Sequence, residues 1–437
     1  MSPNFDSKIS AMKKSILNQQ TCMTRVTNMC DAKEIGDVIE KGEETYEWKE
    51  SSTIGEIESA TYREASLLAT AGVAEVVRRI RRLGLEVALH KSEALCFHGP
   101  RRKPPADASL TVGGVSIVIK QSMRYLGIVL DGRWNFGAHF AELAPRVTTA
   151  AGALTRLMPN LGGPEASCRR LYMGVVRSIA LYGAPVWADA LSRQNLASLR
   201  RPQRLMATRA ARGYRTISFE AASVLAGSIP WDLEAKTLAS LFFWREEAVA
   251  QGHRLAPREI AGRRNELCQR SIEEWSQRLE QPTAGRRTVE AVRPVLGQWL
   301  ARQHGSLTYR LTQMLSGHGC FGGYLCLIGR EPSAICHHCD GCADEDAQHT
   351  LEVCPAWDQD RAELRAVVGD DLSLPAVVRQ MVDSERSWTA VQTFAESVML
   401  RKEAAERVRE DTSDVPIRRR RTGRRRRAYA LHLLPPQ

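Results

Sequence analysis

The sequence predicts a mixed, mainly α protein: a short α+β piece, a long all-α stretch and a small cysteine-rich module. Three observations carry that expectation. Apolar residues alternate in short runs only between residues 85 and 131; from residue 137 they recur at helical spacing; and six of the eleven cysteines crowd between Cys320 and Cys354. At 437 residues and 43% apolar content, the chain has enough apolar side chains for several packed domains.

Residues 1–60 show no sustained periodicity and end in KGEETYEWKESSTIGEIES, an acidic extension with 7 basic against 11 acidic residues. From Tyr62 the texture changes. Val73, Val76, Val77, Ile80 and Leu83 recur at helical spacing, and Gly84 stands where a helix stop belongs. LEVALHKSEALCF reads as strand, turn at His90–Lys91, strand. Leu110 and Val112 face Val115, Ile117 and Ile119 across Gly113–Gly114, a hairpin signal. MRYLGIVLD, residues 123–131, reads as one more strand with an internal glycine. Residues 61–131 are therefore a helix with several antiparallel strands.

Residues 132–310 read as six to eight helices punctuated by Gly162–Gly163, Pro185, Pro202 and Pro230, with Tyr182, Trp187 and Trp231 in helix cores. Residues 311–357 hold the cysteine module, 358–410 are helical again, and 411–437 form a polar, arginine-rich tail expected to be disordered. No run of 18 apolar residues predicts a membrane span and no apolar leader opens the chain, so a secreted disulfide scaffold is not expected. P-loop, G-x-S-x-G, H-E-x-x-H and dinucleotide fingerprints are absent, and no small-molecule substrate is indicated.

The strongest motif is CHHCDGCADEDAQHTLEVC. Cys336 and Cys339 form a C-x2-C turn, His349 follows after nine residues and Cys354 after four more. Zinc takes four thiolate or imidazole donors in a tetrahedron, and four protein ligands leave no open position for water, so a structural zinc is expected. Cys342, His337 and His338 are alternative donors. Asp340, Asp344, Glu345 and Asp346 read as solvated spacer. Asp370–Asp371 sit in VVGDDLSLP, the context of a helix end and a new cap and not of a hairpin presenting paired catalytic carboxylates.

The net charge of +11 is lopsided, because IRRRRTGRRRRAY places Arg418, Arg419, Arg420, Arg421, Arg424, Arg425, Arg426 and Arg427 in one terminal run. Guanidinium groups fork phosphates, and each phosphate neutralised steepens the salt dependence of binding. RNA or DNA is the expected partner, and the same run reads as a nuclear localisation signal.

Taken in order, KSEAL, MRYLGIVLDGRWNF, RLYMGVVRSIALYGAPVWADAL, GYRTISFEAASVLAGSIPWDLEAK, LSGHGCFGGYLC and CHHC…HTLEVC resemble the C-terminal part of a non-LTR (LINE-type) retrotransposon Pol protein. The likeness is nearest to the type-1 retrotransposable elements that insert into ribosomal RNA genes, and it covers about residues 61–430. It implies an RNA-directed DNA polymerase family, with a residual reverse transcriptase palm at 61–131, a helical thumb and linker at 132–310, and a CCHC module within 311–357. On the family pattern Lys91 would lie near the incoming nucleotide's phosphates. Tyr125, Leu126 and Gly127 would lie against the primer backbone, and Cys336, Cys339, His349 and Cys354 would form the CCHC module that holds RNA or target DNA.

The family's first palm aspartate and its Y-x-D-D hairpin should precede Tyr62, where this sequence has only the unrelated 1–60, and no endonuclease domain is seen. Two-metal nucleotidyl transfer needs paired carboxylates, and magnesium is expected only with such a palm. The chain is thus expected to be a truncated reverse transcriptase limited to nucleic-acid binding. The alternatives are a co-opted zinc-dependent RNA- or DNA-binding protein and a zinc-stapled helical interaction module.

Overall fold

The structure, a computed structural model, describes residues 62–99, 103–339 and 344–414. The acidic extension 1–60, Cys342 and the arginine run 418–427 lie outside the described residues. The chain divides into two compact units. Among the described residues, one comprises 62–143, Gly183–Leu196 and Leu238–Leu255; the other comprises Ala144–Tyr182, Ala197–Thr237 and 256–414.

In the first unit, helix α1 (Tyr62–Arg82) runs down to Gly84, whose φ of +79° suits a helix stop. Its Val73 and Val77 are buried against Leu110, Val112 and Ile117. These belong to a three-stranded sheet of β1 (Ala94–Leu95), β2 (Ser109–Val112) and β3 (Val115–Lys120) in the order β1-β3-β2. The β2–β3 hairpin closes at Val112 opposite Val115, across Gly113–Gly114. A separate ribbon pairs β4 (Ser122–Tyr125) with β5 (Ile128–Asp131).

Two sequence expectations fail here. Residues 85–89 form no strand; Leu89–Lys91 is a 3₁₀ turn, and the short β1 pairs with β3 in parallel, not antiparallel. Local hydrogen bonds from Leu89 N to Val87 O (2.9 Å), Lys91 N to Ala88 O (2.9 Å) and Ser92 N to Leu89 O (3.0 Å) occupy the groups a ladder would need. MRYLGIVLD is not one strand but the hairpin β4–β5, turning at Leu126 (φ +45°) and Gly127 (φ +82°). Two positive φ values in a two-residue loop mark a type I′ turn, whose twist matches that of the strands it joins.

Asp131 then ends the strands. Its carboxylate accepts the backbone N–H groups of Arg133 (3.0 Å), Asn135 (3.3 Å) and Phe136 (2.6 Å), steering the chain into α2. From there the protein is helical: α2 (Gly137–Arg156), α3 (Ala166–Ala180), α4 (Ala184–Trp187), α5 (Arg193–Ala210), α6 (Phe219–Ala226), α7 (Trp231–Ala250), α8 (Pro257–Arg278), α9 (Arg286–Val292) and α10 (Leu296–Ala301). Six of these nine have eight residues or more, in line with the periodicity. Pro202 does not break α5, nor does Pro145 break α2. A mid-helix proline costs about 3 kcal/mol or more, and the buried packing around Pro202 offsets it. Trp187 and Trp231 are buried as expected, whereas Tyr182, just beyond the end of α3, is 55% exposed.

The chain continues through α11 (Tyr309–Ser316), α12 (Gly322–Leu327), α13 (Asp358–Val368), α14 (Leu374–Asp383) and α15 (Glu385–Thr412). One continuous core in the second unit joins Trp275, Trp299, Phe321, Leu351, Trp357 and Trp388, and it includes Cys336 and Cys354. Among the described residues no helix is long and apolar enough to cross a membrane.

Candidate metal centre

The cysteine module is built against that core from three directions. The segment 334–339 supplies the C-x2-C turn. Gly322 and Gly323, at the start of α12, lie against it so closely that a Cβ on Gly322 would come 2.5 Å from Ile335 O and 2.8 Å from Ala334 O. No larger residue fits at Gly322. The third part is the turn His349–Val353, a single π turn in which Cys354 N donates to His349 O at 2.8 Å. That i→i+5 bond turns His349 and Cys354 to the same side, which is how four intervening residues bring two donors to one point.

Sγ of Cys336, Cys339 and Cys354 and a ring nitrogen of His349 all lie within 4.8 Å of one another. Cys336 Sγ is 3.9 Å from Cys354 Sγ, and Cys339 Sγ is 3.5 Å from His349 Nε2. A tetrahedral ion bonded at about 2.3 Å to sulfur and about 2.0 Å to nitrogen sets edges of about 3.8 Å and about 3.5 Å. The four donors could therefore hold a metal ion. The two histidines among the alternative donors point elsewhere: His337 Nε2 is 3.6 Å from Glu331 Oε1, and the His338 ring packs on Trp357 at 5.0 Å.

The surroundings support charged sulfur. His338 N donates to Cys336 Sγ at 3.4 Å, and the backbone N–H of Ala356 bonds the Cys354 sulfur. Burial nevertheless pushes the Cys354 thiol up and the His349 imidazole down. Burial and the Lys402 charge bring His338 down to about 4, so it stays neutral.

Glu345 was read from sequence as solvated spacer, and the structure overturns that. It is 2% exposed; its Oε2 accepts Gly322 N (2.9 Å), its N–H donates to Ala334 O (2.7 Å), and its carbonyl accepts Gly323 N (2.7 Å). Its other carboxylate oxygen is bonded by Lys402 of α15, itself 1% exposed. One buried residue thus ties α12, the C-x2-C segment and α15 together. Nothing in ADEDA distinguishes Glu345 from its acidic neighbours, because its role depends on a lysine 57 residues away.

The remaining sequence candidates lie apart from this centre in the chain. Lys91 is exposed at the end of the 3₁₀ turn, Tyr125 ends β4, and Leu126 (60% exposed) and Gly127 form the tip of the β4–β5 ribbon. Asp370 and Asp371 are exposed between α13 and α14. Asp371 Oδ1 accepts Ser373 N at 2.9 Å, and hydrogen bonds from the Ser373 side chain and backbone lower its pKa.

Comparison with known proteins finds relatives across much of the chain. The chain is 30% identical over 294 residues to the Retrovirus-related Pol polyprotein from type-1 retrotransposable element R1 of Bradysia coprophila, covering 64% of this chain and 28% of that protein. It is 28% identical over 330 residues to a 115 kDa protein in type-1 retrotransposable element R1DM of Drosophila melanogaster, covering 72% and 31%. Against a Pol polyprotein from element R1 of Nasonia vitripennis it is 26% identical over 366 residues, covering 78% and 91%. The chain thus spans less than a third of the first two relatives and nearly all of the third. No family model and no solved structure matches it. Across much of its length, this chain is a homologue of the Pol polyproteins of R1 type-1 non-LTR retrotransposable elements.

Proposed function

We propose that this chain is a nucleic-acid-binding part of a non-LTR retrotransposon reverse transcriptase and that it does not extend a primer by itself. The observation that carries the reading is the Cys336–Cys339–His349–Cys354 constellation in a chain whose relatives are R1 Pol polyproteins. Three thiolates and one imidazole suit zinc, whose four protein ligands would leave no place for a reacting water. Zinc here would hold the 334–357 segment folded. Catalysis is set aside because the 437 residues contain no Y-x-D-D sequence, and the one adjacent aspartate pair, Asp370–Asp371, is exposed between two helices, with Asp371 bonded to the backbone of Ser373. Magnesium-dependent transfer needs paired palm carboxylates. Lys91 and the Tyr125–Gly127 turn would keep the nucleotide-facing and primer-facing places that the family pattern gives them, as palm remnants. The arginine run 418–427 would add phosphate contacts and nuclear import.

The test is binding of labelled RNA and DNA by the purified, zinc-loaded chain, alongside a primer-extension assay. Binding without extension is expected. No binding at low salt would overturn the first half of the reading, and templated extension by this chain alone would overturn the second.

A further inference from the structure

Resting on that reading, we infer that the nucleic-acid backbone is gripped by a cationic patch around the loop 213–219, and not by the metal module. Charge divides the chain sharply after residue 131. Residues 132–310 hold 26 basic and 14 acidic residues, whereas 311–414 hold 9 and 19. The acidic excess around the metal module faces water: Asp344, Asp346, Glu352, Asp358 and Glu363 are all exposed. Such a surface repels phosphate, which leaves the module the part of a staple.

The basic excess is not spread evenly in effect. On α8, Arg263 and Arg270 pair with Glu266, and Arg278 pairs with Asp232 and Glu274. Arg169 and Arg212 are committed to backbone carbonyls of the 159–164 loop. Around 213–219 the guanidiniums of Arg200, Arg204, Arg215 and Arg286 have no carboxylate partner among the described residues. Arg204 on α5 donates to Arg215 O (2.9 Å) and to Ile217 O (2.7 Å), fixing the loop while keeping its charge uncompensated. Arg200, one turn earlier on α5, lies over the Phe219 ring at 5.6 Å and is exposed. Arg215 is exposed on the loop itself.

Arg286 opens α9 beside them. Its neighbour Gly285 packs so tightly that a Cβ would come 2.5 Å from Ser218 Oγ and 2.8 Å from Ala221 Cβ. On the same loop, exposed Thr216 Oγ1 bonds His318 Nδ1 (3.0 Å) and the Tyr324 hydroxyl (2.6 Å), and the His318 ring lies over Tyr324 at 4.6 Å. The segment 213–219 contains no acidic residue; Glu220 follows it at the start of α6.

A rigid loop ringed by Arg200, Arg204, Arg215 and Arg286, with a hydroxyl and an imidazole beside them, is preorganised for consecutive phosphates, which arginine binds through paired N–H groups. Phosphate contacts of this kind position a strand without reading its sequence.

The test compares two full-length, metal-loaded variants of equal charge loss: Arg200→Gln/Arg215→Gln/Arg286→Gln, and Arg258→Gln/Arg264→Gln/Arg270→Gln on α8. Binding of a single-stranded RNA 30-mer and the DNA 30-mer of the same sequence is followed by fluorescence anisotropy across a salt series. The patch variant is expected to bind both about tenfold or more weakly, with the RNA salt slope reduced by about 2, since each single-strand phosphate contact contributes about 0.7. The α8 variant should lose less than about threefold. Equal losses in the two variants, or a patch variant that binds like the parent, would overturn the inference while leaving nucleic-acid binding intact. A parent chain that binds neither strand would bring down both. The single variant Arg215→Glu, at an exposed loop position, repeats the comparison should the triple variant unfold.

Discussion

Lys402 of α15 and Glu345 of the metal loop form a buried ion pair, 1% and 2% exposed, across 57 residues of sequence. Taking one partner from a buried pair leaves the other charge unpaired, at a cost of about 3–5 kcal/mol. Lys402→Met should therefore destabilise the second unit by about that much in urea unfolding. The double change Lys402→Met/Glu345→Gln should recover a good part, because the stranded carboxylate is gone. Two additive losses would contradict a direct pair.

Metal removal should loosen the same region. Trp357 is 4% exposed, with the His338 ring at 5.0 Å and the Arg401 guanidinium at 4.7 Å. Chelation should redshift its fluorescence and speed amide exchange across 334–357, since a structural metal's binding energy is folding energy. Added zinc should reverse both, at one ion per chain. Unchanged exchange after complete metal removal would contradict a structural ion.

The β4–β5 turn makes a sharper backbone prediction. Leu126 adopts φ +45° and Gly127 φ +82°, conformations that cost an ordinary L-residue roughly 1–2 kcal/mol. Gly127→Val should lower stability by about that amount. Leu126→Asn should raise it by several tenths of a kcal/mol, because asparagine tolerates the left-handed region. Thermal unfolding of the two variants checks both signs.

Glu234 gives a pH dependence. Burial raises its pKa above the ordinary 4.5, against the opposing pull of Arg177 at 2.5 Å. A carboxyl raised in the folded state contributes stability that is fully present below its unfolded pKa and lost as pH climbs through the folded value. Between pH 4.5 and neutrality, the stability difference between the parent and Glu234→Gln should therefore drift in favour of the variant. Urea unfolding at a series of pH values reads this directly. A difference that stays constant would contradict it.

What was legible in the sequence followed periodicity and ligand spacing. The α1 helix, the Gly113–Gly114 hairpin and the helical stretch after residue 137 are local signals, and the structure carries them. MRYLGIVLD misled because a turn with leucine at a positive φ looks, residue by residue, like an uninterrupted strand. The Cys336–Cys354 donors could be grouped because metal-ligand spacing is short-range. Lys402 and Glu403 were hidden by their type: on a charge-laced helix they read as solvent-facing, yet they are buried against partners far away in the chain. The patch around 213–219 was missed for a related reason. Its arginines come from α5, a loop and α9, and only the tertiary fold shows which of the many basic residues lack a carboxylate.

A salt titration of RNA binding by the metal-loaded chain tests its nucleic-acid role most directly. Affinity should fall linearly in log–log form as salt rises, with a slope set by several phosphate contacts. Absence of binding at low salt, or an affinity indifferent to salt, would contradict that role.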